Sequence, residues 1–451
     1  MTAVTAALLE PRVAALSQDL RAARPRVLGL LADNGPEWLV ADLAAERAGI
    51  PLVPLPAFFT LQQIQHAVAS SGVDALLCES PQLASVLGFR REGSGLLWFQ
   101  PQAEAAALPA GTAKITYTSG TTGAPKGVCL SAAQQRAVEM SLVQATRRLA
   151  LERHLCLLPL AVLLENVAGA RASLAAGATC FLPRLAKVGV GGATGFDARA
   201  CLTAMERWQP HSVILLPQMM LALTAALEAG AARPPSLRFA AVGGAKVAAQ
   251  AILRARAAGL PVYEGYGLSE CASVVSLNLP GADRPGSVGR PLPHASVRVA
   301  DDGEIFVGAQ ATGDLGRLDG EGFLHVEGRR KHVLITSFGR NVAPEWPEAE
   351  LGAGAAIAQA AVFGDARPAL CAVVVPREAA ASNTVIESDV QRANARLPDY
   401  ARIAFWLRAD APFGPADGSA TPNGRVRRDV VWSRYGARLE EFYERVERAV
   451  L

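Results

Sequence analysis

Long apolar runs, paired cysteines and a surplus of either charge are all missing from this chain, and each absence closes a class of function. The longest uncharged apolar stretches, such as 155–164, fall well short of the ~20 residues a membrane-spanning helix needs. Seven cysteines, at 78, 129, 156, 180, 201, 271 and 371, include no CxxC pair and no metal-like spacing. Reduced thiols in a cytoplasmic protein are the expectation. The net charge of +3 is close to balanced, so no nucleic-acid or membrane-surface partner follows from it. No basic residue precedes Glu10 and Pro11, which argues against a secretory signal. There is no fixed-period repeat and, beyond alanine richness, no low-complexity segment.

What is present is a globular composition, 51% hydrophobic and 19% charged over 451 residues, enough for two or three domains. The early chain alternates short apolar runs with helical periods. Val13, Leu16 and Leu20 repeat at helical spacing, 27–31 reads as a buried strand, and a helix over 36–48 has Pro36 near its start and Gly49 at its end. Residues 50–55 and 75–78 read as further strands, with a Thr60–Gln63 capping box between them. The rhythm resumes with a helix from Ser131, a strand at 155–158, a helix at 161–174, and strands at 178–182, 213–216 and 239–242. Alternation of this kind predicts a parallel sheet covered by helices. From about Ser287 the pieces shorten to β-like runs at 297–299 and 304–307, separated by turns such as Asp301-Asp302-Gly303. Near Lys331 the chain passes into a final unit of roughly 120 residues, a usual domain size. That unit has strands at 333–336, 360–363 and 372–375 and a terminal helix whose face carries Leu439, Phe442, Val446 and Val450.

Three constellations carry chemistry. Between an apolar run and a helix-like segment, residues 115–131 hold Thr118, Ser119, Thr121 and Thr122, glycines 120, 123 and 127, and Lys126. Glycines let backbone N–H groups turn toward phosphate oxygens, hydroxyls add donors, and a lysine supplies a mobile charge. The Walker pattern is absent, because Pro125 precedes Lys126 and Gly127 follows it. In the second, Val262-Tyr263-Glu264-Gly265-Tyr266-Gly267-Leu268-Ser269-Glu270, an aromatic between glycines can lie on a purine and a nearby carboxylate can hold Mg2+ beside phosphates. The third joins Asp314, suited to accept ribose hydroxyls, to Arg329. Singly, these are a polar linker, a turn tyrosine and a turn aspartate beside a basic cluster.

Together, in this order and spacing, they resemble the adenylate-forming superfamily of acyl-CoA synthetases, luciferases and peptide-synthetase adenylation domains. The resemblance covers nearly the whole chain. It implies an α/β fold: a large N-terminal domain (1–331) with parallel-rich sheets and a β subdomain, then a small mobile α+β domain (332–451) beyond a hinge at His332. It implies that Thr118, Ser119, Gly120, Thr121, Thr122, Gly123 and Lys126 hold phosphates, that Gly243, Gly244 and Ala245 border the adenine, and that Tyr266, in the loop of Gly265 and Gly267, stacks on it. Ser269 would then approach the α-phosphate, Glu270 the metal, and Asp314 and Arg329 the ribose. Gly339 matches the glycine lining the path of the pantetheine thiol. The implied reaction joins a small-molecule carboxylic acid to AMP from Mg-ATP and then to coenzyme A or the phosphopantetheine of an acyl carrier protein. Residues 158–161, with Glu165 beyond, lean toward the fatty-acyl branch.

Four departures stand out. Arg425, within Thr421-Pro422-Asn423-Gly424-Arg425-Val426, replaces the family's C-terminal catalytic lysine; it keeps the charge but presents a rigid fork. His332 occupies the pivot position, which needs only tolerance of a backbone change. Ala161 and Val162 stand where a histidine often borders the acyl pocket, and the loop before Thr312 is short. Peptide-synthetase domains place an aspartate near the start of the acyl pocket to hold an amino group; the corresponding 160–164 is wholly apolar here, so the resemblance implies a plain carboxylic acid over an amino acid and leaves fatty and aromatic acids open. Oligomeric state is left open as well.

Overall fold

The structure is a computed structural model. It describes residues 2–91, 97–100, 104–118, 125–191, 195–337, 340–421 and 424–450, without the side chains at 118, 341 and 445–450. A seven-stranded sheet runs in the order Arg90–Arg91, Trp98–Phe99, Ala75–Cys78, Leu28–Leu31, Leu52–Pro54, Thr112–Thr118, Lys126–Ser131. Its centre is parallel, and all four residues of Leu28–Leu31 are buried, as a strand covered on both faces requires. The expected helix is Pro36–Ala48, closed by Gly49 at φ +73°, and the Thr60–Gln63 capping box forms as read.

An eight-stranded sheet follows, in the order Ala3–Val4, Thr179–Phe181, Arg153–Leu155, Ser212–Leu215, Phe239–Val242, Val262–Leu268, Ser273–Leu277, Arg290–Pro291. The five strands from Thr179–Phe181 to Val262–Leu268 are parallel. Register puts Ser212 opposite Phe239 and Ile214 opposite Ala241 on one face, and Val213 opposite Ala240 and Leu215 opposite Val242 on the other. The second face packs on helices Ala198–Trp208, Pro217–Glu228 and Ala249–Ala257 through Met205, Met220, Leu223 and Ile252. The first lies under helix Ala132–Thr146 and the segment after Pro159.

Three details differ from the sequence reading. The glycine-rich loop does not run from strand to helix: it joins two antiparallel strands, Thr112–Thr118 and Lys126–Ser131, and the helix begins only after Ser131, which caps it. The strand expected at 155–158 is Arg153–Leu155; the N–H groups of Leu157 and Leu158 go to the Glu165 carboxylate at 3.0 and 2.8 Å instead of to a neighbouring strand. The helix expected at 161–174 is an eight-residue π-helix, Leu164–Arg171, continued by Ala172–Ala175. Such wide turns are rare and gather at functional sites.

A buried ion network ties the two sheets together. Asp42 receives Lys114 Nζ at 2.7 Å and Asn166 Nδ2 at 3.0 Å, and Arg171 reaches Glu139 and Glu46 at 2.6 Å each. Burial works to raise the Asp42 pKa, but Lys114 and Arg171 outweigh it and hold the carboxyl below its ordinary range.

The β subdomain is the antiparallel sheet Val297–Val299, Glu304–Val307, Gln310–Leu318, Leu324–Arg329. The last sheet, Ile357–Phe363, Leu370–Pro376 and Ile403–Arg408, has its own core, with helix Asn383–Asn394 contributing Ile386 and Val390. Among the described residues no helix is long and apolar enough to cross a membrane.

Candidate active site

Strand Val262–Leu268 runs out past its parallel neighbour and turns back as Ser273–Leu277, a reversal with a bulge at Tyr266/Gly267. Only glycine fits at 267, because a Cβ there would lie 1.8 Å from the Ser273 carbonyl oxygen. Ala272 and Ser273 complete the turn at φ +58° and +113°, conformations that cost non-glycine residues energy and are characteristic of functional sites. The turn sets Tyr266 against the β subdomain, where its hydroxyl donates to Asp314 Oδ2 at 2.6 Å. Arg329 Nε lies 2.8 Å from Asp314 Oδ1, and its Nη1 donates to the Thr312 carbonyl at 3.3 Å. Burial raises the Asp314 pKa against the opposing pull of Arg329, and burial together with Asp314 drives the Tyr266 phenol upward.

The parallel strand Phe239–Val242 ends beside this turn, and Gly243 and Gly244 follow, Gly244 at φ +91°. A Cβ on Gly243 would sit 3.1 Å from the Gly265 oxygen, so the two loops nearly touch. Arg425 Nη2 donates to the Gly244 carbonyl at 3.3 Å and lies within the electrostatic reach of Arg329, Asp314, Glu345 and Glu270. Ala245 is exposed, as is Glu270 in the short turn Ser269–Cys271; Ser269 is half-buried. One crevice at the carboxyl ends of the parallel strands thus brings together Gly243, Gly244, Gly265, Tyr266, Gly267, Ser269, Glu270, Asp314, Arg329 and Arg425. That is where an open α/β sheet binds its ligand.

Of the phosphate loop, Lys126 is described as the first, exposed residue of its strand, paired in register with the Thr118 backbone. Ser119, Gly120, Thr121, Thr122 and Gly123 lie outside the described residues, as does Gly339. His332 is half-buried with Nδ1 2.7 Å from Glu345 Oε1. Ala161 is buried in the core with Trp38 and Leu160, and neither it nor Val162 lines the cavity described next.

Sequence reasoning missed that cavity. It is narrow, about 70 Å3, and lies between the eight-stranded sheet and the helices above it, bounded by Leu142, Leu164, Ala168, Ile214, Ala241 and Leu277 among others. Leu277, one of its lining residues, also packs by the tyrosine turn, its Cδ1 3.0 Å from where a Cβ on Gly265 would lie. Its signal in the sequence was only a run of small residues, Ala168, Gly169, Ala170 and Ala172, in a segment otherwise read as an ordinary helix. Two supports were also missed. Lys246 Nζ donates to the carbonyls of Val326 and Glu327 at 3.0 Å each, fixing the strand that carries Arg329; His66 Nε2 lies 3.0 Å from the Pro125 carbonyl, anchoring the phosphate hairpin.

Fold and crevice together are those of an adenylate-forming enzyme, with an apolar cavity beside the crevice. A model described as AMP-binding enzyme matches residues 2–316, and one described as AMP-binding enzyme C-terminal domain matches 331–447. The long-chain-fatty-acid–CoA ligase FadD15 of Mycobacterium bovis is 27% identical over 91% of this chain and 86% of its own. A feruloyl-CoA synthase of Amycolatopsis sp is 31% identical over 84% of each. The solved structure of the anthranilate CoA ligase AuaEII with anthranoyl-AMP superposes with a TM-score of 0.78 at 19% identity, over 96% of this chain and 92% of that one. This chain belongs to the AMP-binding enzyme family, and it is an AMP-forming acid–thiol ligase.

Proposed function

We propose that this protein activates a carboxylic acid with a slender apolar body, in two half-reactions, and passes it to coenzyme A. The observation that carries the substrate class is the apolar cavity that shares Leu277 with the surroundings of Gly265, walled by Leu142, Leu164, Ile214 and Leu277, which suits an aliphatic chain. The named acids of the relatives, long-chain fatty acids and ferulate, share an apolar body of this kind.

In the first half-reaction the purine lies against Tyr266 beside Gly243, Gly244 and Ala245, while Asp314 and Arg329 take the ribose. Asp314 already faces two donors, Tyr266 and Arg329, so it is oriented before the nucleotide arrives. The substrate carboxylate attacks the α-phosphorus and pyrophosphate leaves. Such a substitution is accelerated mostly by alignment and charge neutralisation. Arg425, set by the Gly244 carbonyl, supplies positive charge at the reacting oxygens, and Lys126 with the hydroxyls of 118–122 holds the outgoing phosphates. Glu270 is an exposed carboxylate at the mouth of the crevice, a hard oxygen donor of the kind Mg2+ takes together with phosphates; bound there, the ion would neutralise phosphate charge.

In the second half-reaction a thiol attacks the acyl-adenylate and AMP departs. We propose that residues 332–451 turn about His332 between the steps, withdrawing Arg425 and bringing Gly339 to the thiol path, against a body formed by 1–331. The test separates the half-reactions. Arg425→Ala should lower pyrophosphate release at least 100-fold while thioester formation from supplied acyl-adenylate stays within a few-fold of wild type. Equal loss in both would refute the role. Coenzyme A and a phosphopantetheinylated carrier protein, offered separately, decide the acceptor.

A further inference from the structure

The cavity is mostly apolar, and the polar residues that line it are Thr146, His154, Ser173 and Ser212. Ser212 and His154 are partners in register on adjacent parallel strands, and both line the cavity at the strand ends remote from the Gly243 loop. His154 Nδ1 lies 3.0 Å from Ser212 Oγ, and Nε2 lies 2.9 Å from Glu165 Oε1. Glu165 Oε2 already receives the N–H groups of Leu157 and Leu158. The neutral tautomer with its proton on Nε2 donates to the Glu165 carboxyl, and its Nδ1 then accepts the Ser212 hydroxyl hydrogen. Ser212 Oγ has then given its one proton and keeps its acceptor lone pairs, with no other protein partner among the described residues. The same three N–H donors occupy the carboxylate of the buried His154, Cys156 and Glu165 cluster, which is why we read it as a relay and not as a cation site.

The relay is built into the fold. A Cβ on Gly169 would lie 2.0 Å from Glu165 Oε1 and 2.8 Å from His154 Nε2, so the glycine in the π-helix makes room for it. His154, Glu165 and Ser212 are 3%, 0% and 5% exposed, so a donor that reached Ser212 Oγ would bond to it away from water, where a hydrogen bond is strongest.

We infer that the far end of the acid pocket reads a hydroxyl on the substrate's tail: the acid's distal O–H donates to Ser212 Oγ, and Ser212 is a specificity-determining residue for the activation step. This rests on the acid-activating reading above and narrows it to aliphatic acids hydroxylated away from the carboxyl group.

The experiment measures pyrophosphate release for straight-chain acids of increasing length, each with and without a terminal hydroxyl, in wild type and Ser212→Ala. At the matching length the hydroxy acid should exceed its plain counterpart by about tenfold in kcat/KM, mainly through KM, and Ser212→Ala should erase that gain, so that the two acids of each length are turned over alike. A merely structural serine would instead lower both series alike. Absence of a preferred hydroxy acid at every length in wild type, or a preference that survives Ser212→Ala, overturns the inference while the ligase reading stands. Because wild type alone carries the first comparison, a misfolded variant does not rescue the idea. Failure of every acid, plain or hydroxylated, sinks the ligase reading and this one with it.

Discussion

The two faces of the eight-stranded sheet are made by alternate residues of the same strands, yet one is sealed and the other hollow. On the sealed face Val213, Leu215, Ala240, Val242 and Val262 meet long side chains, Met219, Met220, Leu223 and Ile252. On the hollow face Ile214, Phe239 and Ala241 meet Ala168 and Ala172, small residues on or just past a π-helix. The strands differ little in bulk between faces; the covering helices decide. Buried polar groups follow the same division. The hollow face hides a carboxylate satisfied by three N–H groups, Glu165. The sealed face hides Glu264, in register with Val242, with one N–H from Val247 at 3.3 Å, and burial pushes its pKa up to about 8 despite Lys246. The hollow face thus pairs its buried carboxyl with donors, whereas the sealed face brings Glu264 too few partners and so favours its protonated form.

The largest test of that contrast is pH. Glu264 has a folded pKa raised from the ordinary carboxylate range to about 8, so the folded state holds a proton the unfolded state releases. Its contribution is fully present below the ordinary range and fades as pH rises toward 8, by an amount on the order of 4 kcal/mol. Urea midpoints of wild type should fall between pH 5.5 and 8.5 relative to Glu264→Gln, whose amide does not titrate. Parallel pH profiles for the two proteins would show that the sealed face does not hold a neutral acid. Next in size is Met220→Ala, which opens a void in that face; a loss of roughly 3 kcal/mol is expected with acid preference unchanged, read by unfolding midpoint and by the acid panel.

Legibility in the sequence followed the same physics. Elements bounded by local chemistry were readable: helix Pro36–Ala48 from its proline and Gly49, the next from its Thr60 box, the buried strands from their apolar runs. Tyr266, Asp314 and Arg329 could be named because motif order survives in sequence, although their meeting at 2.6 and 2.8 Å is a tertiary fact. Helices Pro217–Glu228 and Ala249–Ala257 passed unremarked, being alanine- and leucine-rich with little periodic contrast. A helix is readable at 161–174, but not its wide turn, which accompanies long-range bonds of Glu165 to Leu157, Leu158 and His154 that a sliding pattern does not contain. The hairpin carrying the phosphate loop was misplaced for a related reason: Lys126–Ser131 pairs with Thr112–Thr118 across a loop whose composition signals a turn but not its partner.

The smallest expected effect is also the sharpest. Ala168 lines the hollow face and is partly buried, so Ala168→Leu adds bulk to the pocket. Each methylene a substrate can no longer place in an apolar pocket costs about 1 to 3 kcal/mol in discrimination. The longest acid accepted by wild type should lose roughly 30-fold in kcat/KM, about 2 kcal/mol, while the shortest acids and the unfolding midpoint change little. This is the mirror of Met220→Ala, which should alter stability and leave chain-length preference alone. If Ala168→Leu instead lowers the unfolding midpoint as Met220→Ala does and spares long acids, the hollow is a packing defect, and the π-helix needs another explanation than making room for a chain.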